Sequence, residues 1–199
     1  MTSITSSLDF FKSIPWTSSL LHPTTITKPA TSRTPKSSSE DSLIATTLLT
    51  PTTIPHCLIY HSPPDTSAAS TLDKINVLFK LESGLNGHPH ILHGGITAVL
   101  MDESMGMMVQ SAIEHANSVG GMALGTGSFT KTLTVEYLAP VRTPGVVLIE
   151  VEVVERRGRG LRLVARLLQK EGSDEKVEGE LVECARGEGV FVTPRVAKL

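Results

Sequence analysis

Aromatic side chains are scarce, 4% of 199 residues, which argues against recognition by base stacking or aromatic grooves. Cysteine is scarcer still. Cys57 and Cys184 lie far apart, so they form neither a disulfide framework nor a CxxC metal knuckle, and a reducing compartment is expected. Neither sign of charge dominates: 18 Lys and Arg stand against 20 Asp and Glu, a net charge of −2. That excludes a protein living on phosphate contacts with nucleic acid. No apolar run approaches the ~20 residues of a membrane-spanning helix, and no internal repeat is present. What remains is 40% hydrophobic and 19% charged residues, enough for a real core. The length suits one domain with an appendage.

The composition shifts near residue 54. Before it, Ser and Thr fill roughly two fifths of the positions, and acids are nearly absent up to Ser39. Lys12, Lys28, Arg33 and Lys36 give this stretch the character of a mitochondrial transit peptide. Phe10, Phe11, Ile14, Trp16, Leu20 and Leu21 fit the opposite reading, a short helix after Ser7 and a second turn from Pro15 that pack on a domain. Residues 22–37 read as a loop. Ser38-Ser39-Glu40-Asp41 predicts a capped helix ending before Pro51. The division is thus 1–54, a Ser/Thr-rich helical extension, and 55–199, the main domain.

From residue 55 strand signals dominate. Cys57, Ile59 and His61 alternate, as do Ile75, Val77 and Phe79 within 72–81. A loop over 83–90 follows, then His93-Gly94-Gly95 and a helix from Gly95 to about His115. Later strands carry Leu133, Val135 and Tyr137, then Val147 to Val153, and a turn at 157–160 leads to Leu161 to Leu167. A last pair of strand signals spans Val177 to Val192, with a bulge or bend expected at Gly187 and Gly189. The helix is apolar in nearly every direction, the mark of a buried helix. One buried helix wrapped by a curved antiparallel sheet is the α+β hotdog arrangement.

Within this helix stand Asp102 and Glu103. Burying a carboxylate is costly unless it is paired or performs a task. Gly94 and Gly95 open the helix, where free N–H groups and the positive dipole end favour a developing oxyanion. An oxyanion hole and a carboxylate are the minimum for acyl transfer. For Glu103, pairing with a base or a neighbouring loop suffices.

The run from His93 to Glu103 resembles the HGG-to-Asp helix of PaaI-like hotdog thioesterases. Thr130 to Val141 resembles the family's next strand, a Thr opening an L-x-V-x-Y-x-x-P run. Gly87-His88-Pro89, Phe11 to Trp16 and the stretch from Ser32 to Leu49 are similar to a fungal subgroup. The resemblance implies hydrolysis of acyl thioesters, carried by CoA or a carrier protein, in a homodimer or dimer of dimers with no metal and no cofactor. Carried over by position, Gly94 donates its N–H to the thioester oxygen, Asp102 is nucleophile or general base, and Thr130 helps hold the water. His93 shapes the turn, and Gly95 joins it on the substrate side.

Two departures matter. Where many relatives place an amide six positions before the motif His, this chain has Gly87, so His88 or Asn86 is expected to take that contact. His90 stands where a small residue, usually Gly, is found. The resemblance to the fungal subgroup favours an extension kept in the mature protein, hence a cytoplasmic location, with mitochondria as the alternative.

Gly94 and Asp102 are eight residues apart, ~12 Å along a helix axis. If they cooperate, a two-fold axis must bring Gly94 of one chain to Asp102 of another. His88, His90 and His93 form H-x-H-x-x-H, but no Cys or well-spaced acid completes a metal site. Arg157 and Arg159, with Arg156 and Arg162, read as a solvated hairpin tip or as contacts to CoA phosphates. The helix Met residues read as plastic core or as a surface for an acyl chain. A non-catalytic hotdog module that binds acyl groups, or a dimeric scaffold, is the alternative to an enzyme. A hotdog dehydratase is a weaker one, since it would need a catalytic His paired with an acid.

Overall fold

The computed structural model describes residues 4–63, 71–119, 128–171 and 179–193. Two short helices come first, α1 (Ile4–Ser13) and α2 (Pro15–Leu20). α1 starts ahead of Ser7, and Ser7 itself is buried against His56. α2 has Pro at its first turn, where the missing N–H costs nothing. The expected loop over 22–37 instead holds β1 (Ile26–Lys28), antiparallel to β2 (Cys57–His61). Three residues are too few to show a period, and the edge of β2 supplies the missing order.

The capped helix expected from Ser38 is a single π-type turn, Leu43–Thr47. Its expected first-turn acids are held by Lys36, whose Nζ lies 2.5 Å from Asp41 and 3.2 Å from Glu40. Ser39 and Asp41 take left-handed φ values of 63° and 60°, so no helix can start there.

β3 is Lys74–Leu81, and a small hairpin begins inside the expected loop with β4 (Asn86–His88) and returns just past it as β5 (Ile91–Leu92). Next come α3 (Gly94–Ser118), β6 (Phe129–Tyr137), β7 (Gly145–Arg157), β8 (Gly160–Lys170) and β9 (Leu181–Val192). The large sheet is antiparallel in the order β1-β2-β3-β7-β8-β9-β6. It is a hotdog fold: the 25-residue α3 lies against the inner face. Gly158, at the first central position of the two-residue β7–β8 turn, has φ 58°.

Inner and outer rows of the sheet alternate as period two requires. Inner residues Val77, Phe79, Ile149, Val151, Leu163, Ala165 and Leu167 bury against Leu100, Met101, Met105 and Met108 of α3. The Met residues are therefore mainly core. On the outer face, Leu58, Tyr60, Leu78, Val146, Leu148 and Leu168 pack on Phe11, Trp16 and Leu21.

The bulge in β9 does not fall at its glycines. The strand runs unbroken through Gly187 and Gly189, and the register slips instead opposite Leu167 and Leu168. The glycines serve α3. A Cβ on Gly189 would stand 2.5 Å from Met105 Sδ, and one on Gly187 3.2 Å from Met105 Cε. Val177 lies outside the described residues.

Candidate active site

α3 begins one residue earlier than its apolar pattern suggests, because His93 is its N-cap. His93 Nδ1 accepts the Gly95 N–H at 2.9 Å, and the His93 carbonyl accepts the N–H groups of Ile96 and Thr97. The ring proton therefore sits on Nε2. Among the described residues, that leaves the Gly94 N–H without a partner at the positive end of the long helix. His93 thus shapes the turn, and Gly95 has its donor committed to the protein.

Tyr137 closes this corner. Its hydroxyl donates to the Gly94 carbonyl at 3.0 Å. Sequence reasoning missed it, because alternation with Leu133 and Val135 makes it look like one more core residue. Gly94, Tyr137 and His88 line a cavity of about 390 Å³ with Leu92, Val141 and Cys184.

The loop before the helix explains both departures from the family pattern. At Gly87 a Cβ would come within 3.0 Å of His93 Cα, so the chain crosses the cap with no room for an amide. Asn86 turns away: Thr143 Oγ1 donates to its Oδ1. His88, exposed on the cavity, is the one of the two that the structure brings to Gly94. His90 takes φ 61°, a left-handed value that glycine adopts without penalty and other residues reach at about 1–2 kcal/mol.

Eight residues along α3, Asp102 Oδ1 accepts a hydrogen bond from Thr130 Oγ1 at 2.7 Å. The half-buried carboxylate and the exposed hydroxyl sit where the start of β6 passes α3. The two residues are 28 apart in sequence, so only the fold makes the pair. Because α3 is continuous, Gly94 and Asp102 stand ~12 Å apart along it. Each chain thus presents two separate features along α3: an N–H donor with a cavity, and a carboxylate with a hydroxyl.

Glu103 faces elsewhere, as ~100° of rotation per residue demands. Ser32 donates to it, and burial beside the N-terminal segment pushes its carboxyl above the ordinary range. Arg157 and Arg159 are not brought to Asp102 or Gly94 within a chain. They line a hollow of about 380 Å³ on the outer face with Lys131, Arg162, Val190 and Val192. Among the described residues, no three His, Cys, Asp or Glu side chains gather as metal ligands would. No helix there is long and apolar enough to cross a membrane.

Residues 90–176, which include Gly94, Asp102, Thr130 and Tyr137, match the family model of the thioesterase superfamily. Over that segment the chain is similar to the thioesterase superfamily. Among curated proteins, verlamelin biosynthesis protein B of Lecanicillium sp is 27% identical over 174 residues, covering 77% of this chain and 73% of that protein. Among solved structures, a hypothetical thioesterase of Streptococcus pneumoniae, crystallised with coenzyme A, is 17% identical with a TM-score of 0.47. That match covers 60% of this chain and 80% of the other. An acyl-CoA hydrolase of Staphylococcus aureus is 15% identical with a TM-score of 0.48, covering 60% of this chain and 65% of the hydrolase. The present chain therefore spans just under two thirds of that hydrolase. The matched segment contains α3 and β5 to β8, while the N-terminal extension and β9 lie outside it.

Proposed function

We propose that this protein hydrolyses acyl thioesters of the acyl-CoA type, as PaaI-like enzymes do, at a site shared by two chains of a homodimer. The Asp102–Thr130 pair, on the same helix whose N-terminus carries the uncommitted Gly94 N–H, is the observation that carries this reading. The thioester oxygen takes the hydrogen bond from Gly94 as negative charge builds on it. Asp102 of the other chain acts on the carbonyl carbon, directly or through a water whose proton it takes, with Thr130 fixing the carboxylate. The C–S bond breaks, the sulfur leaves as thiol, and water supplies the acid's hydroxyl.

The free edge supports the dimer. Among the described residues β6 pairs with β9 alone, so the other side of this nine-residue strand is a free edge. Phe129, Tyr137 and Leu138 are exposed along it. A long uncovered edge with apolar side chains invites a second strand. Pairing of two β6 edges about a two-fold axis sets the two α3 helices antiparallel, the orientation in which Gly94 meets Asp102 of the other chain.

A panel of acyl-CoA substrates, followed by release of free thiol, tests the activity. The wild type is expected to turn over at least one chain length. The Asp102→Asn variant keeps the shape of the side chain but loses the base, and should fall by roughly 10²–10⁴-fold while remaining folded. Near-wild-type turnover by a folded Asp102→Asn protein would refute the role of Asp102. No hydrolysis by the wild type would leave the chain a binding module.

A further inference from the structure

α3 opens with two glycines, and the peptide between them is held at both ends. Its carbonyl, that of Gly94, accepts the Tyr137 hydroxyl at 3.0 Å, and its N–H, that of Gly95, donates to His93 Nδ1 at 2.9 Å. The peptide before Gly94 is held at one end. Its carbonyl, that of His93, accepts the N–H groups of Ile96 and Thr97 at 2.9 and 3.1 Å. Of the four polar groups on these two peptides, only the Gly94 N–H has no partner among the described residues.

Such fixing matters more at a glycine than elsewhere. Without a Cβ, Gly94 and Gly95 reach φ and ψ values closed to other residues, and the first turn of a helix lacks the N–H bonds that order its interior. Rotation of either peptide would swing the Gly94 N–H away from the point where charge develops. A donor lowers a barrier when it already stands at that point. The ties made by His93 belong to the cap and to α3 itself. Among the described residues, the Tyr137 bond is the one tie on these peptides that comes from another element.

That element is β6, which also brings Thr130 to Asp102. The start of the strand thus meets α3 at Asp102, and its end meets α3 at Gly94. The strand is the free edge of the sheet, and Tyr137 is 56% exposed on it.

We infer that Tyr137 is a positioning residue: by holding the Gly94 carbonyl, its hydroxyl aims the Gly94 N–H at the thioester oxygen. The inference rests on the thioesterase reading above. It also ties the donor to the edge strand on which the second chain would pair, so that one strand sets both the carboxylate and the donor.

The test follows kcat and KM on the acyl-CoA substrate that wild type turns over fastest. Tyr137→Phe removes one oxygen and keeps the ring at an exposed position, and calorimetry checks that the variant is folded. Its kcat should fall by about tenfold, part of the 10²–10³-fold lost with a whole donor. KM should stay within about twofold, the pattern of an interaction felt in the transition state. A merely structural role would give the same fall in any background. Gly94→Pro separates the two, because proline suits the first helical position and has no N–H. In that background Tyr137→Phe should cost no more than about twofold further, since the hydroxyl has no donor left to aim.

Wild-type kcat in folded Tyr137→Phe overturns the inference. So does an equal fall in both backgrounds, because the hydroxyl would then act without the donor. A raised KM at unchanged kcat overturns it too, by making Tyr137 a ground-state contact to substrate. Each of these results leaves the thioesterase reading standing. No hydrolysis of any acyl-CoA by wild type overturns the thioesterase reading, and the inference with it.

Discussion

Gly94 is the first helical residue after the His93 cap, and this permits a clean removal of one atom. Proline is favoured at that position, because its fixed φ suits the helix and the lost N–H has no intrahelical partner. Proline also requires an extended residue before it, and His93 already has φ −63° and ψ 131°. Gly94→Pro therefore deletes the proposed donor, with ordinary van der Waals space toward Tyr137, whose Cε1 would lie 3.5 Å from the new Cβ. Loss of an oxyanion donor lowers kcat by about 10²–10³-fold, and Asp102→Asn removes the acid of the other half-site. Each mutant homodimer should be nearly inactive. Unfolded together in equal amounts and reassembled, the two mutants form homodimers and heterodimers in a ratio of about 1:2:1. In each heterodimer one site has both defects and the other has neither. About half the dimers then have half their sites intact, so roughly a quarter of wild-type activity per chain should return. If Gly94 and Asp102 served one site within a chain, every site would be defective and activity would stay near the percent level. Heterodimers confirmed by native mass spectrometry, with no recovered activity, would refute the shared site.

Three further outcomes follow from the packing and charges. Phe11 is wholly buried against the outer face, so Phe11→Ala should cost about 3–5 kcal/mol. At roughly 2–4 °C per kcal/mol for a chain of this size, calorimetry should show a clear fall in Tm, and an unchanged Tm would show that α1 does not support the fold. Burial raises the Glu103 carboxyl above its ordinary range, so the folded state favours the protonated form. Its stabilising effect is full below the unfolded carboxyl range and is lost as pH rises through the raised folded value. Glu103→Gln should accordingly raise Tm near neutral pH, with the gain vanishing in acid; a gain independent of pH would contradict this. Mass spectrometry of the native protein should find residues 1–54 retained, with the protein in the cytoplasm, and a cut near residue 40 would favour the mitochondrial alternative.

The parts legible in sequence were those with a period or a fixed local chemistry. Val147 to Val153 and Leu161 to Leu167 alternate because one row faces α3, and alternation is visible without knowing the partner. Asp102 and Gly94 stood out because a carboxylate in an apolar helix, and glycines at its start, break the local rule. What stayed hidden depended on contacts made at a distance. β1 exists because β2 has a free edge. Tyr137 matters because its hydroxyl, at the end of an apolar row, reaches a carbonyl 43 residues away. The failed capped helix at Ser38 had the right letters, but Lys36 holds the acids that were expected to serve it. Gly187, Gly189 and Gly106 look alike in sequence. Only the structure separates two that admit Met105 from one that borders empty space.

The outer row of the sheet also records where the extension lies. Along β7 that row reads Val146, Leu148, Glu150, Glu152, and along β8 Leu168, Arg166, Val164, Arg162. The apolar ends, Val146, Leu148 and Leu168, are the ones beneath Phe11, Trp16 and Leu21. The charged ends lie past the helices and face each other, with Arg166 Nη1 3.4 Å from Glu150 Oε2 and Arg162 Nη2 2.9 Å from Glu188 Oε2. A sheet built to meet water on this face would carry charge along its whole length. The change from apolar to charged within single strands places the edge of α1 and α2 partway along β7 and β8. Removing the extension would expose this apolar patch and, with it, take away Ser32 and Lys28 from α3. The composition break near residue 54 therefore divides two styles of sequence, while burial and hydrogen bonding join them into one folded unit.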